Sequence, residues 1–160
     1  MSKAILGVLL LIAVVGGAIY WFETCPASYS DPAGYSVDLP HGWEPRAIEK
    51  GMMAANGLCY GHGYGNATAM MAPYRDGRAT QWPEDGKQSF SVPIDWSQET
   101  EIAGSRAVLA TFTDGALRCL GAAVDHGDRI LVFRIGISPD AFEELRPLFE
   151  KSARSIRFDK

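Results

Sequence analysis

Three cysteines in 160 residues are too few for a disulfide-framed scaffold or a four-thiolate zinc site. Positive charge is also scarce. Fifteen basic residues stand against nineteen acidic ones, for a net charge of −4, which argues against a nucleic-acid binder. No internal repeat is present, which excludes a solenoid. No Gly-x-Ser-x-Gly elbow occurs. The GHGYG stretch at 61–65 lacks the lysine and the strand–helix context of a phosphate loop. Disorder is excluded as well, because the chain is 47% hydrophobic and only 21% charged.

What the sequence does have is one long apolar run, Ala4 to Phe22. As a helix it would span about 28 Å, close to the thickness of a bilayer core. Lys3 precedes the run, Glu23 follows it, and Tyr20, Trp21 and Phe22 sit at its outer end. This pattern predicts a single-pass membrane anchor over 1–22, with the N-terminus cytoplasmic and the rest extracytoplasmic. The open alternative is a signal peptide cleaved after Ala18, behind Gly16, which would leave a secreted or periplasmic protein. Residues 23–34, with Pro26, Pro32 and Gly34, read as a linker, and 35–160 as one extracytoplasmic α+β domain.

Within that domain Tyr35, Val37 and Leu39 alternate with polar residues, as in a half-buried strand. Pro40-His41-Gly42 turns the chain and Trp43 reads as a core plug. Five glycines at 51, 57, 61, 63 and 65 rule out a long helix and suggest short strands joined by loops. Ala67–Pro73 reads as a further strand and 74–88 as a surface loop. Phe90–Ile94, Thr100–Ala103 and Arg106–Thr113 are strand candidates. Ala116–Val124 and Arg129–Ile137 flank a turn at 125–128, as in a hairpin, with Leu131, Phe133, Ile135 and Ile137 on one face. Ser138-Pro139-Asp140 opens a helix whose apolar stripe is Phe142, Leu145 and Phe149. Pro147 interrupts that helix and predicts a kink or two short helices. Ser155–Phe158 would close the sheet.

The two ends of this domain carry a resemblance. GYSVDLPHGWE at Gly34–Glu44 and SPDAFEELRPLFEKSARSIRF at Ser138–Phe158 resemble the opening strand and the closing helix of PsbP-like domains. Residues 60–100 lack the clear middle helix that many of those domains carry. The resemblance implies an α/β/α sandwich of a mostly antiparallel sheet packed against helices. It is shared with the photosystem extrinsic subunit and a Ran-binding import factor, and is used for binding rather than catalysis. It supplies no functional residues; Tyr35, Leu39, Trp43 and Phe158 carry over as core positions only.

The remaining chemistry is sparse. Cys59 and Cys119 are the disulfide candidates, closing a long loop worth about 4 kcal/mol. Cys25 with Cys59, and buried free thiols, stay open as alternatives, and Cys25 also suits a bridge to another chain. Cys59-x-x-His62 has the spacing of two metal ligands but needs a third from Cys119, His41 or His126. Met52-Met53 and Met70-Met71 would add soft sulfur of the kind copper prefers. No ligand set, cofactor motif or catalytic set is complete, so no metal, cofactor or catalysis is expected. Trp82 and Trp96, in polar, proline-flanked surroundings, are the candidates for partner contacts, with core packing as the alternative for each. The expected function is a membrane-anchored accessory or binding domain that engages a membrane-protein partner. The alternative is a periplasmic carrier of a small ligand or metal.

Overall fold

A computed structural model describes residues 26–59, 61–74 and 81–159. The apolar run 4–22, the cleavage position at Ala18 and Cys25 lie outside the described residues. Among those described, no helix is long and apolar enough to cross a membrane.

The described chain starts with strands β1 (Ala27–Asp31) and β2 (Tyr35–Leu39), then β3 (Glu44–Glu49), β4 (Met52–Cys59) and β5 (Gly63–Pro73). A five-residue helix α1 (Glu84–Gln88) follows, then β6 (Ile94–Ile102), β7 (Ser105–Asp114), β8 (Leu117–His126) and β9 (Arg129–Ile137). Helix α2 (Pro139–Arg154) and the short β10 (Arg157–Phe158) complete it. Seven strands form one antiparallel sheet in the order β3-β4-β5-β9-β8-β7-β6. Three more form a small sheet, β1-β2-β10. This is a mostly antiparallel α+β fold with two helices among the described residues.

Packing explains the layers. β7 and β8 each carry six consecutive buried residues, because both of their faces are covered. One face of the large sheet packs under α2 and the small sheet, joining Phe133 and Ile135 to Phe142, Phe149, Tyr35 and Leu39. The opposite face carries a smaller cluster built on Phe90, Phe112 and Val132. As the alternation in β9 requires, Leu131, Phe133, Ile135 and Ile137 enter the main core. Arg134 points the other way, where it donates to the Phe90 carbonyl and pairs with Asp114 at 3.3 Å.

Several elements differ from the sequence reading. Ala27–Asp31, inside the segment read as a linker, is a strand whose polar residues pair in register with β2. The glycine-rich stretch forms two long strands, of eight and eleven residues, rather than short ones. Phe90–Pro93 is not a strand: Ser91 takes a positive φ of 58° and Pro93 has no N–H to donate, so no ladder can form. Phe90 is instead a fully buried wedge. Helix α2 runs through Pro147 as one element. Pro147 is exposed, so the carbonyl it leaves without a partner, that of Glu143, is on a side open to water. The disulfide between Cys59 and Cys119 is also corrected. Both are free and buried, and they belong to opposite faces of the large sheet, so the sheet itself separates them.

Candidate functional site

Trp43 follows the turn between β2 and β3, and its indole lies against the paired strands β4 and β5. Gly57 and Gly65 are cross-strand partners directly beneath it. A Cβ at Gly57 would stand 2.6 Å from Trp43 Cδ1, and one at Gly65 would stand 2.6 Å from Cζ2. The two glycines are therefore a shelf cut to the thickness of the ring. Phe149 of α2 meets the indole edge-on, with ring centroids 6.4 Å apart. The ring is 2% exposed.

Over this floor runs a groove of about 570 Å³, within the range of small-ligand sites. Its walls are the Pro40–Gly42 turn, the tip of the β4–β5 hairpin with Leu58, Cys59 and His62, and the exposed side of α2. Pro26 lies at its margin. Along α2 the lining follows helical spacing: Leu145, Leu148, Ser152, Ser155. The groove is thus apolar at one end and polar at the other. Leu58 and Leu148 stand 54% and 38% exposed at the rim.

The charges around the groove are mostly engaged. Asp38 accepts from Ser28 Oγ at 2.7 Å and from Arg157 at 2.8 Å. Its backbone N–H donates to Ser155 Oγ at 2.7 Å. His62 Nε2 lies 3.5 Å from Glu144. Lys151 forms no ion pair among the described residues. Burial pushes the Cys59 thiol up, partly offset by the neighbouring Trp43 indole N–H. That N–H is buried with no hydrogen-bond partner of acceptable geometry.

The other candidates are dispersed. Cys119, on the opposite face, is pushed up to about 11, chiefly by burial, so neither thiol is an activated nucleophile. Trp96 is half-buried beside the main core, with the Arg146 guanidinium 4.7 Å from its ring centre. Trp82 is half-buried in the smaller cluster, with Arg106 at 5.4 Å. The two tryptophans therefore serve different layers and form no common surface. His126 stacks on Phe158 at 3.9 Å. Cys59 and His62 do meet at the groove, joined by a backbone hydrogen bond of 2.9 Å. Met52 and Met70 are cross-strand partners at the far end of β4 from them. No group of three or more potential His, Cys, Asp or Glu metal ligands is gathered among the described residues.

Comparison with solved structures relates this arrangement to known folds. The solution structure of cyanobacterial PsbP from Synechocystis sp. PCC 6803 aligns with a TM-score of 0.60 at 14% identity, over 84% of this chain and 93% of that one. The fold is PsbP-like. Two further structures share it. One is a Pseudomonas aeruginosa protein of unknown function, PA94, with a TM-score of 0.54 at 10% identity, covering 82% of this chain and 95% of that one. The other is from Bacteroides thetaiotaomicron, with a TM-score of 0.51 at 13% identity, covering 86% of this chain and 49% of that one. No family model and no curated protein matches the sequence. Within this PsbP-like fold the sequence pointed to Cys59, His62 and Trp43, but not to the groove that unites them. It missed Leu58, Lys151, Ser152 and Ser155. Two signals were available: Gly57 and Gly65 spaced to face each other across a hairpin, and Leu148 lying just off the stripe of α2.

Proposed function

We propose that this chain is a membrane-tethered, extracytoplasmic binding domain, an accessory rather than a catalytic protein, and that the groove over Trp43 is its binding site. The observation that carries the reading is the groove itself: concave, mostly apolar, edged by a few polar groups, and built on a floor that the fold shapes with two glycines. The PsbP-like fold and the expected anchor over 4–22 support the accessory role.

The test places a photo-crosslinking amino acid at Leu58 or Leu148 in the full chain, in native membranes, with the exposed Ile48 of β3, outside the groove lining, as control. Extraction in mild detergent and mass spectrometry should find adducts from the two groove positions and not from Ile48. Equal labelling at all three positions would remove the groove from the proposal. Protease treatment of intact cells stripped of their outer layers should cut the domain while sparing the N-terminus. A domain that is protected would reverse the assigned side.

A further inference from the structure

We infer that the groove takes a single long-chain carboxylate, with its alkyl tail over Trp43 between Leu58, Leu145 and Leu148 and its head group at Lys151. This rests on the groove being the binding site. Three observations choose this occupant. The first is the gradient along α2. From Leu145 to Ser155 the lining changes from leucine to serine over about 15 Å of helix, the pattern that suits a molecule with one apolar and one polar end.

The second is charge. Lys151 is the lining residue whose charge is left uncompensated, whereas the Asp38 carboxylate is held by Arg157 and Ser28. A carboxylate head complements that rim.

The third is the lack of backbone partners for a peptide. β2 lies between β1 and β10, and β4 and β5 are paired with each other. Asp38, the polar strand residue at the groove, has its N–H on Ser155 Oγ at 2.7 Å, and its C=O accepts from the same hydroxyl at 3.3 Å. An extended peptide laid along β2 here would find the backbone groups of Asp38 already engaged by Ser155. An alkyl chain has no such groups to satisfy. Supply is also short-range: Phe22 precedes Pro26 by four residues, a reach of at most about 14 Å, so an anchor over 4–22 would hold the groove beside a bilayer.

The test uses the full chain held in an amphipathic polymer, titrated with decanoate, dodecanoate and tetradecanoate and followed by calorimetry. Saturable one-to-one binding is expected, strengthening about fourfold per added methylene while the tail still finds apolar wall. Leu148→Glu should abolish it. Lys151→Glu should weaken dodecanoate about tenfold and leave dodecanol unchanged. Both positions are exposed, so the melting temperature of each variant should match the parent's, and Ile48→Glu, outside the groove lining, serves as a neutral control. Phosphatidylglycerol carrying the same tail distinguishes a free acid from a membrane lipid as the source. Length-independent binding, or binding indifferent to Leu148→Glu, overturns the inference. If carboxylates fail while the crosslinkers at Leu58 and Leu148 still capture a partner selectively, the groove reading stands and the acyl ligand falls. If both fail, both fall.

Discussion

The two halves of the seven-stranded sheet are built on different terms. In β7, β8 and β9 both faces are covered, side chains such as Phe133 and Phe112 are fully buried, and the sequence is a nearly continuous apolar run. In β4 and β5 only one face is covered. Tyr64 and Met70 stand exposed on the other, and the buried positions are mostly alanine and glycine, with Met53 and Cys59 the larger exceptions. The first half supplies stability; the second gives up side-chain volume so that an indole can lie on it. Binding sites sit where a core is thinned in this way, because a fully packed face leaves no concavity.

Substitutions should separate the halves sharply. Phe133→Ala, in the doubly covered half, should cost about 3–5 kcal/mol by denaturant unfolding, whereas Tyr64→Ala should stay within about 0.5 kcal/mol. Equal losses would mean that the exposed face is covered after all. Gly57→Val should cost about 1–3 kcal/mol, since its branched side chain meets Trp43, and Trp43 fluorescence should shift with it. If Gly57→Val is silent in both readouts, the shelf is not a constraint.

Alkaline pH tests the covered half through Cys119. Its pKa is raised on folding, from about 9 to about 11, so the folded state holds a proton that the unfolded chain loses first. The stabilisation from this thiol is therefore complete below about pH 9 and falls away as the pH rises toward 11. Cys119→Ala should flatten that part of the stability profile, and an unchanged slope would assign the loss to Cys59 and the buried tyrosines. The smallest effect is expected on α2. Arg146→Ala removes the cation over Trp96 and should cost about 0.5–1 kcal/mol in a thermal melt. A larger loss would show that Trp96 depends on Arg146 for its place in the core.

What the sequence made legible follows from range. The hairpin of β8 and β9 and the start of α2 are local patterns, encoded by alternation, Gly127 and Pro139, and they stand where they were expected. β1 was not legible because ASYSD is polar; only pairing with β2 makes it a strand. The glycine-rich stretch read as short strands joined by loops because glycine weakens a strand locally, whereas Trp43 fills the space that side chains at Gly57 and Gly65 would occupy. Ser138 occupies the N-cap position, but its hydroxyl goes to the Asp140 carboxylate and lowers that carboxyl's pKa instead of capping the helix. The groove was the least legible feature. It is made by Pro26, the stretch 38–43, Leu58, Cys59, His62 and one side of α2, and no window of sequence contains them together.

Asp31 gives the architecture a mechanical side. Buried at 3% exposure, its carboxylate accepts from Tyr29 Oη at 2.8 Å, from Ala33 N–H at 2.7 Å and from Gly51 N–H at 2.8 Å. It therefore rivets the far end of β1 to the turn that joins β3 to β4. The near end, at Ala27, is held by its ladder to β2, by the exposed Ser28–Asp38 hydrogen bond and by the packing of Ala27 on the main core. A pull on the chain ahead of Pro26, directed away from the sheet, would open that ladder from the groove end and be arrested at Asp31. The groove would feel the load first, and the large sheet last.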